Sequence, residues 1–268
     1  MLDSLAPTKA SREASPPRRS VLLVAHGSRD PRAANTTRAL ARTVAAVRPG
    51  LDVRVAFLEL SRPRPAEVLA AMPAGTVVVP LLLTRAYHGA VDLPAQVAGF
   101  DCVITATLGS ISEPLLEALT RRLPPGDFDG LVLAAAGTRV ESARRTVREV
   151  AAALGERLGL PCRVAYAAVP SGSSDGAALG HDESLSGAEA VAALRNEGAR
   201  RVAVASYFLA PGRLYDTVTR AALDAGAVAI APPLGASWSI AELVMSQVDG
   251  NSGAGNSGAC EATRGIAA

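Results

Sequence analysis

The chain has 268 residues, 49% of them hydrophobic, 19% charged and only 3% aromatic, with a formal net charge of +2. That hydrophobic content excludes disorder over the bulk of the chain, and the near-zero charge gives no electrostatic case for a nucleic-acid partner, although the pI is near 8.6. The length suits two domains of roughly 120 residues each, with aliphatic cores.

In chain order, residues 1–20 read as a disordered lead-in rich in Ser, Pro and Arg. They hold no apolar stretch before a cleavage site, so they do not read as a secretory signal. A strand is predicted over 21–25 and a helix over 31–47; a second strand covers 53–58, with a helix over 65–72. The third strand is predicted over 77–83, with a helix starting near 91, and the fourth over 102–106, with a helix over 113–123. Continuous apolar strands alternating with helices predict an α/β fold whose parallel sheet is covered on both faces.

The second half then repeats the first. Val24-Ala25-His26-Gly27-Ser28-Arg29 is echoed by Ala134-Ala135-Ala136-Gly137-Thr138-Arg139, an offset of about 110 residues. Residues 53–57 are echoed by 162–166, and 77–83 by 202–208. The expected domains are therefore 21–126 and 127–248, followed by a flexible tail over 249–268. A polar insertion over 171–187 lengthens the second copy. No apolar run approaches the roughly 18 residues of a membrane span, so a cytoplasmic protein with no membrane partner is expected. Cys102, Cys162 and Cys260 are far apart and form no CxxC pair, which leaves neither a disulfide framework nor a zinc cage.

The chain has only three histidines. His26 follows the first strand directly, and His88 stands five residues past the predicted end of the third. In an open parallel sheet, ligands bind outside the carboxyl ends of the strands. With strand order 2-1-3-4, strands one and three are neighbours about 4.8 Å apart, and both imidazoles open onto one crevice. Glu59, just past the second strand, lies on the same edge. Two histidines and a glutamate on one rim suit a divalent metal or acid–base work. Gly27 permits a tight strand-to-helix turn. Ser28 and Arg29 read either as anion contacts or as a helix cap and a solvated charge. His181, in the polar insertion, reads as a solvated loop residue.

Three blocks in this order carry a resemblance: Ala25-His26-Gly27-Ser28-Arg29-Asp30, then Phe57-Leu58-Glu59-Leu60, then Val79-Pro80-Leu81-Leu82-Leu83-Thr84-Arg85-Ala86-Tyr87-His88-Gly89-Ala90-Val91-Asp92-Leu93-Pro94. The sequence resembles the sirohydrochlorin chelatases, class II enzymes that insert Fe²⁺ or Co²⁺ into a tetrapyrrole in siroheme or cobalamin biosynthesis. The resemblance implies two similar chelatase-type domains, each a parallel four-stranded sheet with helices on both faces, facing each other across a cleft. It implies that His26 and His88 bind the incoming metal, which is a substrate, with no permanently bound cofactor. Glu59 is similar to an acidic residue lining the family's cleft. The duplicated chain looks like a single-chain version, for which a monomer is expected rather than a homodimer.

In the second half Ala136 stands in place of the first histidine, and Leu209-Ala210-Pro211-Gly212-Arg213-Leu214-Tyr215-Asp216 has no histidine. One active site is therefore expected, with ligands from the first half and a roof from the second. Arg29, Arg85 and Arg213 are candidates to grip the carboxylates of sirohydrochlorin. Two other readings stay open on sequence: a non-catalytic carrier of tetrapyrrole or metal, and a histidine-dependent phosphoryl-transfer enzyme. Against the latter, Ala25 stands where histidine phosphatases place an arginine.

Overall fold

The computed structural model describes residues 19–84, 91–168 and 185–250. The first half runs β1 (Ser20–Ala25), α1 (Pro31–Val47), β2 (Asp52–Phe57), α2 (Pro65–Leu69), β3 (Thr76–Leu81), α3 (Leu93–Val97), β4 (Cys102–Ile104) and α4 (Glu113–Arg122). The second runs β5 (Gly130–Ala135), α5 (Glu141–Leu158), β6 (Cys162–Tyr166), α6 (Gly187–Asn196), β7 (Val202–Ser206), α7 (Arg213–Asp224), β8 (Ala229–Ile230) and α8 (Trp238–Gly250). Each half makes a four-stranded sheet, in the orders β2-β1-β3-β4 and β6-β5-β7-β8. All pairings are parallel, and matching registers (Val21 opposite Val53, Leu131 opposite Cys162) relate the two sheets.

Side-chain alternation along the strands builds the layers. In β1, Val21 and Leu23 enter one core cluster while Leu22 and Val24 enter another on the opposite face. In β5, Leu131, Leu133 and Ala135 join the first of these clusters, and Val132 and Ala134 a third. The shared cluster lies between the sheets and draws on both halves, so the two copies bury one continuous core.

Helix α1 forms where expected. Asp30 caps it by accepting the Arg32 amide at 2.9 Å, Pro31 fills its first turn, and Thr37, Leu40, Ala41 and Val44 make its buried stripe. Helix α6 opens with a reciprocal cap between Ser186 and Glu189. That places Gly187 inside a helix, although the sequence assigned it to the polar insertion. Leu185 and Ser186 of that insertion are likewise described, whereas residues 171–184, His181 among them, lie outside the described residues.

The last helix of each half crosses over. Helix α8 packs on α1, α4 and β3 of the first half, while α4 packs on α5 and β7 of the second. Helix α8 also continues through Asp249 to Gly250, past the expected start of the tail. Among the described residues no helix is long and apolar enough to cross a membrane. Cys102 and Cys162 are free thiols, and burial pushes that of Cys162 up to about 12. Cys260 lies outside the described residues.

Candidate functional site

The β1–β2 pairing continues past the strand ends. The Leu58 amide donates to the Ala25 carbonyl at 2.9 Å, and the Glu59 amide donates to the His26 carbonyl at 2.9 Å. These bonds set His26 and Glu59 side by side at the carboxyl edge of the sheet. Their side chains meet, with Nε2 of His26 3.2 Å from Oε1 of Glu59, and both are partly open to solvent. Nδ1 of His26 lies 3.1 Å from the Gly27 carbonyl oxygen. A carbonyl only accepts, so Nδ1 is the donor in that bond, while Nε2 faces the carboxylate, a contact that draws either a proton or a cation between the two atoms.

Gly27 makes this approach possible. Its φ is +99°, and a Cβ there would stand 1.7 Å from the Glu59 carbonyl oxygen. The same turn recurs in the second half. Gly137 has φ +95°, and the Ala168 amide donates to the Ala136 carbonyl at 3.1 Å. Ala136 and Ala168 are thus the counterparts of His26 and Glu59. The sequence revealed the first replacement; the second becomes visible only through the backbone pairing.

Ser28 is held within its own loop. Its hydroxyl accepts the Asp30 amide at 3.0 Å, while its backbone N–H and C=O engage the Ser61 hydroxyl at 3.2 and 2.9 Å. Asp30, not Ser28, caps α1. Arg32 donates to Asp30 and reaches across to Asp216 of α7 at 2.6 Å, which ties the two halves beside the site. The hydrogen bond from Arg32 holds the Asp30 carboxyl below its usual range, and the two carboxylates hold the guanidinium above its own.

The opposite wall comes from the second half. The loop after β7 is fixed as Leu234 and Gly235 donate backbone N–H groups to Phe208 and Leu209 at 2.8 and 2.9 Å. Phe208 meets Tyr215 edge to face, with ring centroids 5.8 Å apart. Between this loop and the His26 turn lies a cleft of about 420 Å³, bordered by His26, Ser28 and Leu60 on one side and by Phe208, Arg213 and Leu214 on the other. A wider outer groove of about 1220 Å³ adjoins it, and there Arg29 and Arg220 stand among Asp30, Asp216 and Asp224. Arg213 borders both spaces, whereas Arg29 lines only the outer one. Around Ala136 a smaller cavity of about 190 Å³ opens, bordered by Thr138, Tyr166 and Thr84.

His88 and Arg85 fall within 85–90, outside the described residues. Among the described residues no three His, Cys, Asp or Glu side chains gather as a metal cluster. The residues leading to that segment are anchored from the second half. The hydroxyl of Tyr207 lies 2.8 Å from the Leu83 carbonyl and 2.9 Å from that of Gly109, its one proton shared between two acceptors. Burial raises the Tyr207 phenol above its ordinary value, so it stays a donor. Sequence reasoning missed this residue. The available signal was a tyrosine ending an otherwise small-residue strand in a chain with four tyrosines.

The sequence matches the CbiX family over residues 20–124 and 130–251. No curated protein sequence matches the chain. Among solved structures, the fold is similar to that of SirB from Bacillus subtilis with Fe³⁺, at TM-score 0.70 and 19% identity over 88% of this chain and 96% of that one. It is also similar to the sirohydrochlorin chelatase SirB from Bacillus subtilis subspecies spizizenii in complex with cobalt, at TM-score 0.67 and 19% identity, covering 87% and 94% of the two chains. A third similar structure is CbiX, described as the terminal enzyme for biosynthesis of siroheme in denitrifying bacteria, with TM-score 0.58, 21% identity and coverage of 87% and 99%. With both halves matched, the chain belongs to the CbiX family.

Proposed function

We propose that this protein is a sirohydrochlorin chelatase that takes Fe²⁺ or Co²⁺ as substrate and inserts it into the macrocycle. The observation that carries the reading is the His26–Glu59 pair, an imidazole nitrogen and a carboxylate oxygen 3.2 Å apart on the rim of a cleft shared by both halves. Family membership and similar structures bearing Fe³⁺ and cobalt support it.

The donor set suits the task. A neutral imidazole and a carboxylate hold a borderline cation, yet release it more readily than thiolates would. The Nδ1–H bond to the Gly27 carbonyl orients the ring so that Nε2 presents its lone pair. His88 is proposed as the second imidazole on the same ion. Insertion exchanges the metal's waters for four ring nitrogens and releases two pyrrole protons, so the product is the metallated ring plus two H⁺. Glu59, once the metal leaves it, is proposed to take one of those protons. Arg213 at the cleft, with Arg29 in the outer groove and Arg85, is proposed to bind the substrate's peripheral carboxylates. Ser28 contributes by shaping the turn. Both walls come from one chain, so a monomer is proposed to be sufficient.

The test is metal insertion followed by absorbance with sirohydrochlorin and each cation in turn. We expect product to exceed protein in moles, and His26→Ala and Glu59→Gln each to slow insertion by about 100-fold, within the range lost with an acid–base or ligand group. A stoichiometric burst that stops at one product per chain would mark a carrier instead. Undiminished rates in both variants would remove the pair from the reaction.

A further inference from the structure

Leu60, the residue after Glu59, is the only non-glycine with positive φ among the described residues, at +59°. The Ser61 amide donates back to the Glu59 carbonyl at 2.7 Å, closing a three-residue γ-turn around Leu60. The positive-φ form of this turn is rare and strained, and a glycine there would avoid a cost of about 1–3 kcal/mol. Burial does not offset that cost, because Leu60 is 50% exposed. The flanking contacts hold the turn in place: Ser61 is bonded to both backbone groups of Ser28, and the Leu58 carbonyl accepts from Gln96 and Arg64.

The exposed side chain borders the His26 cleft. From the other wall, Leu214 in the first turn of α7 borders the same cleft and is 44% exposed. Two bare leucines thus stand at one opening, beside the charged groove that holds Arg29 and Arg213. A strained turn kept for an exposed aliphatic group makes sense where a ligand covers that group.

We propose that Leu60 and Leu214 form an apolar pair, one from each half, that grips the flat face of the tetrapyrrole and sets its position over His26. The proposal rests on the chelatase reading and adds to it the contact that recognises the ring rather than its carboxylates. A plate with apolar faces and an anionic edge matches leucines at the opening and arginines around it. Both leucines lie outside the metal pair, so they act on the macrocycle and not on the cation.

The experiment titrates metal-free sirohydrochlorin, by fluorescence, into the wild-type chain, Leu60→Gly and Leu214→Ala, and separately titrates Co²⁺ alone. Each variant is expected to bind the tetrapyrrole about fivefold more weakly, as loss of a partly buried leucine contact implies, with Co²⁺ affinity unchanged. Leu60→Gly is expected to melt no lower than wild type, because glycine relieves the turn. A role of Leu60 in folding alone would give the opposite pattern, with a lower melting temperature and normal tetrapyrrole binding. Leu214→Ala, on a different element, guards against any loosening of the Glu59 turn. Wild-type binding of sirohydrochlorin with unchanged affinity in either variant overturns the pair alone. Absence of binding by the wild type overturns the chelatase reading, and the pair with it.

Discussion

The two halves share a strand order, a register and a glycine turn after the first strand, yet only one carries the His–Glu pair. Gly27 and Gly137 have φ values of +99° and +95°, and each presses against a carbonyl of the neighbouring strand's exit, that of Glu59 or of Ala168. What the fold requires at this place is the turn, and both copies keep it. What the proposed chemistry requires is the pair of side chains at the turn, and the second copy has alanine at both positions. The division extends to the far walls. Phe208 and Leu209 border both spaces, but Arg213 and Leu214 border only the cleft at His26, and Leu83 and Thr84 only the cavity at Ala136. Both halves therefore contribute to each edge, and only one edge carries the imidazole–carboxylate pair.

Restoring the lost pair tests that comparison most severely. Ala136→His combined with Ala168→Glu should create a second imidazole–carboxylate pair on a turn that already has the required shape. Calorimetric titration with Co²⁺ is expected to show a second equivalent bound per chain, weaker than the first. The second half offers no histidine at the third block to complete the set. A titration that still ends at the wild-type stoichiometry would mean that the backbones match less closely than their hydrogen bonds indicate.

The glycines separate folding from chemistry. A Cβ at Gly27 would stand 1.7 Å from the Glu59 carbonyl oxygen, and one at Gly137 would stand 2.3 Å from that of Ala168. Gly27→Ala and Gly137→Ala are each expected to cost about 2–4 kcal/mol, because positive φ and a backbone clash add. Thermal melts should fall by several degrees in both. Only Gly27→Ala should also lose insertion activity in protein that remains folded, because only there does the turn hold a proposed metal ligand. Equal losses of activity would show that the second turn has a catalytic part.

Much of this was legible in the sequence because it depends on local pattern. Helix α1 runs Pro31–Val47 because Asp30, Pro31 and a 3.6-residue apolar stripe define it at short range. The strands stand out as aliphatic runs, and the order 2-1-3-4 supposed for them is the one both sheets have. The exchange of α4 and α8 was not legible, since periodicity shows that a helix has an apolar face but not which sheet that face meets. The third strand was expected through Leu83 but ends at Leu81, and the Leu83 carbonyl is taken instead by Tyr207 from the other half. At the site, His26 and Glu59 were readable as neighbours on one edge. Their direct contact, the strained Leu60 turn and the role of Ala168 depend on pairing geometry that no residue type announces.

The smallest expected effects lie at the two crossing points of the swapped helices. On α8, Asp249 accepts two bonds from Arg48, the residue that follows α1, at 2.6 and 2.7 Å; on α4, Glu113 accepts from Arg157 of α5 at 2.8 Å. The Arg48 hydrogen bonds hold the Asp249 carboxyl below its usual range, and the partnership raises Arg48. A depressed carboxylate stabilises the fold above the unfolded aspartate value of about 4 and loses that contribution as pH falls through the lower folded value. Both side chains are 44% exposed, so solvent screening limits the contribution to about 0.5 kcal/mol. Asp249→Asn is thus expected to lower the melting temperature by about 1–2 °C at pH 7 and to converge on wild type in acid. Glu113 is 70% exposed, and Glu113→Gln should change less. A larger loss at Glu113 than at Asp249 would mean that the second half depends on its borrowed helix more than the first half does, reversing the balance that the bidentate Arg48–Asp249 contact implies.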